Sequence, residues 1–259
     1  GSNLIVSGPA GSGKTFLTIL VSDKILKEDP SAKIQIIVFT KSLKAFIIKG
    51  LKNIGITNVD VNHLASWVYN KKESDYIIID EAQDLTLDEL DILKSYSKKK
   101  IYLFGDSNQM IYNDQLKGSS IEEIIEHFGY NHIVLREILR FNTGIKDFIS
   151  ESFPFVNEAN VLNKKIIKPN VLTCKDEEEE ISKICDILIN RGKIESIGIL
   201  VFLNQTVSKL LEEFSKRNLR IDGYKVYKKE NTEQALIKGV EGFLGWQASK
   251  NFSFDMFTS

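Results

Sequence analysis

Short apolar runs alternate with stretches of helical apolar spacing along the first half of the chain. The run at 34–39 is rich in β-branched residues and nearly continuous in apolar character, which is typical of a strand buried on both faces. Such strands indicate a parallel sheet with helices packed on each side. Strands are predicted at 4–6, 34–39, 59–61, 76–79, 101–104 and 133–135. Helices are predicted at 16–26, 43–51 and 120–128, and Thr86 with Glu89 forms a capping box that begins another.

After about residue 142 the alternation continues with a new set of elements. Helices are predicted at 145–152, 177–190 and 206–217, and strands at 171–173, 197–202 and 224–227. The segment 158–169 and the tail at 239–257 have no period that we can interpret. This second β-α-β pattern predicts two α/β domains, the first at 3–132 and a second, partial one at 133–259.

A glycine-rich loop lies between the first predicted strand and the first predicted helix. It has the spacing of a P-loop and consists of Gly8, Pro9, Ala10, Gly11, Ser12, Gly13, Lys14 and Thr15. In such a loop the backbone N–H groups surround phosphates, the lysine reaches the outer phosphates and the hydroxyl binds Mg²⁺. The helix N-terminus that follows also points at the bound anion. The sequence therefore predicts a nucleotide site that extends to Phe16, with Lys14 catalytic and Thr15 a metal ligand.

Two adjacent acids follow the apolar run at 76–79. Asp80 is expected to hold Mg²⁺, and Glu81 is expected to orient and deprotonate the attacking water. The alternative is an acidic helix start, and we prefer that alternative for Asp88, Glu89 and Asp91.

A third polar cluster, at 105–112, follows the next predicted strand. Gln109 is placed to contact the γ-phosphate, and Tyr112 presents an aromatic face nearby. The lysines at 98–100 are interpreted as a solvated loop. Arg136 and Arg140 follow the strand at 133–135, and they either form weak surface ion pairs or include an arginine finger.

Composition restricts the ways in which the chain can bind partners. The formal net charge is −1, so nucleic-acid binding must come from a local basic and aromatic surface. Cys174 and Cys185 lack CxxC spacing and a matching histidine cluster, which favours buried thiols in a reducing cytosol. We find neither a signal peptide nor an apolar run of about 18 residues, and we expect a cytoplasmic protein without a membrane partner. Gly1-Ser2 with no initiating Met resembles a cleavage scar.

Together these motifs resemble those of superfamily-1 helicases of the UvrD/Rep type. Residues 8–15 look like motif I of that family, residues 77–84 like motif II and residues 103–112 like motif III. Weaker similarities lie at 39–42 to motif Ia, at 62–67 to the TxHS segment, at 135–141 to motif IV and at 196–219 to the strand and helix that follow it. The conserved arginine of motif IV falls on Arg140.

The resemblance implies a P-loop NTPase (RecA-like) parallel sheet with helices on both faces, plus a second, partial RecA-like α/β domain. ATP with Mg²⁺ would lie in the cleft between the two domains. One wall would supply the catalytic Lys14, Glu81 and Gln109 together with the metal ligands Thr15 and Asp80. The other wall would supply Arg140.

The resemblance also implies a path for single-stranded DNA or RNA across the top of both domains. The residues implied to contact it are Phe39, Thr40, Lys41, His63 and Tyr112. Stacking of a base on Phe39 or Tyr112 would contribute roughly 1 to 3 kcal/mol and would tolerate any sequence.

The chain departs from the family pattern at several places. No motif V and no motif VI arginine is found in 220–259, and no glutamine that reads adenine precedes the P-loop. The interval between Lys14 and Asp80 leaves no room for the large 1B insertion. We therefore expect a fragment, a degenerate second domain, or a protein partner that supplies the missing motor elements.

Three functions are compatible with these motifs. The leading hypothesis is an ATP-dependent helicase or translocase that acts on single-stranded nucleic acid, DNA in the first place. The alternative is a nucleotide-dependent switch or sensor ATPase without unwinding activity, which the missing motifs favour. A phosphotransferase fits poorly, because the DEAQD sequence at 80–84 activates water and no acceptor pocket is evident.

Overall fold

The computed structural model describes residues 3–110, 118–150, 152, 159–192, 197–201 and 204–219. These residues fall into two compact units that divide between Lys168 and Pro169. The predicted strand at 224–227 and the tail at 239–257 lie outside the described residues.

Strands and helices alternate in the first unit, as the apolar pattern predicts. Its strands are β1 (Leu4–Ser7), β2 (Ile34–Val38), β3 (Asp60–His63), β4 (Ser74–Ile79), β5 (Ser97–Gly105), β6 (Asn131–Val134), β7 (Glu137–Asn142) and β8 (Asn160–Asn163). Its helices are α1 (Lys14–Glu28), α2 (Lys41–Asn53), α3 (Leu64–Tyr69), α4 (Leu87–Ser95), α5 (Ile121–Phe128) and α6 (Thr143–Ser150). Short 3₁₀ turns follow β4 at Ala82–Asp84 and β5 at Ser107–Gln109.

Six of these strands form one parallel sheet in the order β3-β2-β4-β5-β1-β6. The three strands that precede the predicted nucleotide residues, β4, β5 and β1, are adjacent. Because parallel strands end at a common edge, their carboxyl ends deliver the P-loop, Asp80 and the cluster at 105–109 to one place. The predicted α/β fold with a RecA-like parallel sheet is confirmed.

Alternate residues of the buried strands face two separate cores. Ile77 and Ile79 of β4 pack on the face covered by α3, α4 and α5. Ile78 packs on the opposite face, which α1 and α2 cover. Burial on both faces explains why these strands are nearly continuous apolar runs.

Side-chain caps fix where two helices begin. The Thr86 hydroxyl accepts from the Glu89 N–H, and the Glu89 carboxylate accepts from the Thr86 N–H, so the predicted capping box begins α4. Ser120 and Glu123 form the same reciprocal pair at the start of α5. Each cap satisfies helix N–H groups that would otherwise lack partners.

Two expectations for the first unit are wrong. The lysines at 98–100 are not a loop but belong to β5, which pairs there with β4 while Lys98 and Lys99 reach acids at the surface. The segment 158–169 is not wholly irregular, because β8 lies within it and pairs with β7 in a separate two-stranded parallel sheet. Neither short strand has a long apolar run, since Ile138 and Val161 are their only buried apolar residues.

The described part of the second unit contains the helices α7 (Glu177–Arg191) and α8 (Asn204–Lys216), as predicted. Ile181 and Cys185 of α7 pack against Leu210 and Phe214 of α8. The predicted strands at 171–173 and 197–202 are wrong for the residues described there, which have no strand partner. Val171 is 70% exposed and Leu200 is fully exposed, so apolar composition alone does not produce a strand without a neighbouring ladder.

The predicted domain boundary at 132/133 stays a prediction. The described residues between 133 and 168 belong to the first compact unit, in which β6 pairs with β1 and β7 follows it directly. A second RecA-like domain stays a prediction. Cys174 and Cys185 are free thiols, and none of the helices in the described residues is long and apolar enough to cross a membrane.

The central strand β4 gives a direct test of this core. Ile78→Ala should lower the free energy of unfolding by about 2–5 kcal/mol, because a fully buried side chain is replaced by a cavity. Ile133→Ala on the edge strand β6 is the matched control, and it should cost much less because Ile133 is half exposed. Denaturant unfolding followed by circular dichroism measures both, and equal losses would contradict the assignment of β4 to the centre.

Candidate functional site

The P-loop joins β1 directly to α1, which begins at Lys14. Gly11 has a φ of 80°, a conformation that favours glycine, and a Cβ on it would lie 2.8 Å from the Cβ of Arg140. Gly13 is the N-cap of α1, and no side chain caps the helix. The first N–H groups of α1 are therefore available to an anion, as in other phosphate sites at helix N-termini.

Lys14 is buried at the centre of the site. Its Nζ donates to the carbonyl oxygens of Gly8 at 2.7 Å and Pro9 at 3.1 Å, and it lies 4.0 Å from Oδ2 of Asp106. Burial lowers the pKa of Lys14, while the negative charges of Asp106, Glu81 and Asp80 oppose that shift. The Lys14 ammonium group is therefore positioned so that a phosphate oxygen can replace one of these carbonyl or carboxylate neighbours.

Asp80 is fully buried at the end of β4 and lies beside Thr15. Burial, and then the negative charge of Glu81, raise the pKa of Asp80 to about 7, although the Thr15 hydroxyl and Lys14 oppose the shift. Among the described residues, neither carboxylate oxygen has a hydrogen bond of ordinary distance and angle. A buried carboxylate without such partners is costly, and a cation would relieve that cost.

The donors at this point fit Mg²⁺, which prefers oxygen ligands and usually takes only one or two protein carboxylates beside phosphates and water. Asp80 and the Thr15 hydroxyl supply such oxygens. Within the described residues no group of three or more His, Cys, Asp or Glu side chains could hold a metal alone. These two oxygens therefore suit a Mg²⁺ ion whose remaining ligands come from nucleotide phosphates and water.

Glu81 follows Asp80 in a left-handed conformation, with φ 58° and ψ 50°. Its Oε2 accepts a hydrogen bond of 2.9 Å from Nε2 of Gln83, a buried residue in the 3₁₀ turn. Burial, and then Glu81, raise the pKa of the neighbouring Asp84 to about 6. The negative charge of Glu81 therefore acts on a carboxylate on each side of it in the sequence, Asp80 and Asp84.

Gln109 lies in the 3₁₀ turn after β5, and its Nε2 donates to Oδ2 of Asp106 at 2.7 Å. The buried Asp106 also accepts from the N–H of Asn108 and faces Lys14. Asp106 and Gln83 have no role predicted from the sequence, although both lie inside motifs II and III. Their position in the sequence could have indicated them, because each is a polar residue within the first few positions after a buried strand.

Arg140 lies on β7, inside the first unit and next to the P-loop. Its positive charge lowers the pKa of Lys14, although burial has the largest effect. The N–H of Leu139 donates to the carbonyl of Gly11 at 2.9 Å, and the N–H of Leu135 donates to Ser7 at 2.7 Å. Arg140 was expected on the wall of a second domain, whereas these backbone bonds hold its segment against the P-loop of the same unit.

Four of the five residues expected to contact nucleic acid lie at or just after the carboxyl ends of two neighbouring strands. Phe39 follows β2, and His63 ends β3, with their ring centroids 6.5 Å apart. Thr40 and His63 also cap helices, because the Thr40 hydroxyl accepts from Leu43 N–H and the His63 Nδ1 accepts from Ala65 N–H. Lys41 begins α2 beside them. Tyr112 lies outside the described residues, and the roles of all these residues stay predictions.

Phe16 is the remaining residue assigned to the nucleotide. It lies in the first turn of α1 and is 51% exposed, a large apolar surface next to the P-loop. Its contact with the nucleotide stays a prediction.

Residues 4–187 match the family described as the viral superfamily 1 RNA helicase core domain. The chain belongs to this superfamily-1 helicase family. The match spans β1 to α7, and therefore includes the P-loop, Asp80, Glu81, Asp106 and Gln109. The predicted superfamily-1 assignment is confirmed, while the UvrD/Rep type stays a prediction.

Solved helicase structures resemble this superfamily-1 core at low identity. The arterivirus nonstructural protein 10 helicase with DNA is 18% identical, with a TM-score of 0.45 over 68% of this chain and 44% of that chain. The PRRSV helicase is 19% identical, with a TM-score of 0.40 over 63% of this chain and 35% of that chain. The C-terminal domain of a possible DNA helicase from Lactobacillus plantarum is 18% identical, with a TM-score of 0.29 over 40% and 73%.

This chain spans less than half the length of the arterivirus helicases that it matches. A comparison with curated proteins found no match.

The buried carboxylate of Asp80 predicts a pH-dependent stability effect. The pKa of about 7 lies above the ordinary value of 3.8, so the folded protein loses stability as the pH rises between those values. Asp80→Asn removes this penalty and should stabilise the nucleotide-free protein by about 1–4 kcal/mol at about pH 8. The gain should shrink at about pH 5, where the penalty is smaller.

Thermal unfolding at the two pH values measures this effect, with the exposed Asp147→Asn as the matched control. A loss of stability in Asp80→Asn at about pH 8 would contradict an unfavourable buried charge.

Proposed function

We propose that this chain is the nucleotide-hydrolysing core of an ATP-dependent helicase or translocase that acts on single-stranded nucleic acid. The observation that carries the proposal is the common position of Lys14, Asp80 and Gln109 at the ends of three adjacent parallel strands. The superfamily-1 helicase family of the chain supports the same activity.

The side chains suit distinct parts of phosphoryl transfer to water. Lys14 and the free N–H groups of α1 would bind the β- and γ-phosphates of ATP. Glu81 would orient the attacking water and accept its proton, and Gln109 would contact the γ-phosphate. Asp80 and Thr15 would hold Mg²⁺, which neutralises developing phosphate charge when bound.

Arg140 would stabilise the charge that spreads over the transferred phosphoryl group. Its position against Gly11 supports this role, and so does its electrostatic effect on Lys14. Because the arginine lies in the same unit as the P-loop, this contribution does not require a second domain to deliver the side chain.

The nucleic acid would cross the carboxyl ends of β2 and β3. Phe39 offers an aromatic ring for stacking, while Thr40 and Lys41 offer a hydroxyl and a cation for the backbone. DNA remains our first expectation from the motifs, and the matching family is described as RNA helicases. A protein partner that completes the motor, and a cytoplasmic location, are also part of this proposal.

ATP hydrolysis with and without single-stranded DNA or RNA tests the proposed function. We expect stimulation by at least one of the two polymers, and indifference to both would favour a nucleotide-dependent switch.

Lys14→Ala should abolish tight Mg-ATP binding. Glu81→Gln should preserve binding and lower kcat by roughly 10²- to 10⁴-fold, because it removes the base. Normal turnover in Glu81→Gln would contradict the assignment of the base.

Arg140 makes a separate kinetic prediction. Arg140→Ala should lower kcat by about 10³-fold with little change in the Kd for ATP, because the arginine would act mainly in the transition state. Steady-state hydrolysis and equilibrium binding of a fluorescent ATP analogue measure the two quantities. Arg136→Ala is the matched control on the same segment, and the opposite pattern between the two variants would assign the finger to Arg136.

A further inference from the structure

Gln83 occupies a buried position between the two halves of the proposed catalytic site. It lies in the 3₁₀ turn after β4 and is 2% exposed. Its Oε1 accepts from the N–H of Asp106 at 3.0 Å, and its Nε2 donates to Oε2 of Glu81 at 2.9 Å. One carboxamide therefore links the residue proposed as the base to the residue that faces Lys14.

The surroundings leave this carboxamide only one useful orientation. A backbone N–H can only donate, so Asp106 requires the oxygen of Gln83, and the NH₂ group is turned toward Glu81. The backbone around Gln83 is also tightly enclosed, because a Cβ on Gly118 would lie 2.1 Å from the Gln83 carbonyl oxygen. Rotation of the amide would lose both hydrogen bonds inside a buried site.

Glu81 depends on such a contact because its own backbone does not favour its position. Its left-handed conformation, with φ 58°, is one that residues other than glycine rarely adopt. Among the described residues, the bond from Gln83 is the one hydrogen bond that its carboxylate makes. The direction of the carboxylate is therefore set by Gln83 and by the strained turn.

The other end of the link reaches the phosphate side of the site. Asp106 binds the carboxamide of Gln109 through one carboxylate oxygen, and the same oxygen lies 4.0 Å from Nζ of Lys14. Its other oxygen accepts from the Asn108 N–H. The position of Asp106 thus determines where Gln109 lies, and Gln83 fixes the Asp106 backbone.

We infer that Gln83 is a positioning residue, which aims Glu81 at the attacking water and holds it in register with Lys14 and Gln109. This inference rests on the proposed hydrolysis of ATP at the same site. The side chain of Gln83 bonds Glu81 and the Asp106 N–H. It acts through Glu81, so its loss should reduce catalysis far more than nucleotide binding.

Gln83→Met keeps the length of the side chain and removes both hydrogen bonds. We expect kcat for ATP hydrolysis to fall by roughly 10- to 100-fold, as for a misplaced catalytic group, with the Kd for ATP changed less than about threefold. Gln35→Met is the matched control, because Gln35 is an equally buried glutamine whose amide bonds Trp67, Ser74 and Lys72 near the start of β2. It should lose stability and keep its kcat.

A double-mutant cycle with Glu81→Asp separates positioning from a general structural effect. The shorter Asp side chain withdraws the carboxylate from Gln83, so Gln83→Met should cost little further kcat in that background. Equal losses in both backgrounds would overturn the inference. So would an unchanged kcat in Gln83→Met alone.

Gln83→Leu gives a second variant if Gln83→Met folds poorly. Leu is apolar and also removes both hydrogen bonds without adding a charge beside Glu81, so the same loss of kcat and the same cycle are expected. A normal kcat in this variant would overturn the inference.

If the unsubstituted protein hydrolyses ATP and Glu81→Gln does not, these results bear on Gln83 alone. If the unsubstituted protein shows no hydrolysis, the proposed function itself fails.

Discussion

The burial of opposite charges at the carboxyl edge of the sheet is the constraint on which this site depends. Charges removed from water are costly unless they are paired or hydrogen-bonded. Lys14 meets this requirement with two carbonyl oxygens and the nearby Asp106. Asp80 does not meet it, and its raised pKa of about 7 is the consequence. The packing of the strands that bury Asp80 thus maintains a carboxylate with a shifted pKa, which is typical of functional sites.

Most of the sheet could be predicted from sequence because a parallel strand buried on both faces needs a nearly continuous apolar run. The segments 34–39, 76–79 and 101–104 meet that condition without information from elsewhere in the chain. The strands at 137–142 and 160–163 could not be predicted in the same way, since their pairing depends on a distant partner. The apolar residues at 171–173 show the converse, because without a partner strand they remain exposed.

The candidate site shows the same difference between features that a local sequence pattern predicts and features that depend on distant contacts. The common location of Lys14, Asp80 and Gln109 was predictable because each follows a recognisable strand within a few residues, while their roles stay predictions. The contact between Gln83 and Asp106 was not predictable, since it is a hydrogen bond between segments that follow different strands. The position of Arg140 depends on the bond between Leu139 and Gly11, which no local pattern in 135–141 specifies.

Gly11 has two structural roles, one in the P-loop and one in its contact with the segment at 135–140. Gly11 must adopt a φ of 80° for the loop to close, and it must also lack a side chain for Arg140 to approach. Its carbonyl accepts from Leu139, whose strand pairs with β8. A change in the P-loop backbone on phosphate binding would therefore act on β7 through a main-chain hydrogen bond. Under the proposed function, occupation of the phosphate site would be coupled to movement of Arg140, because both involve the same glycine.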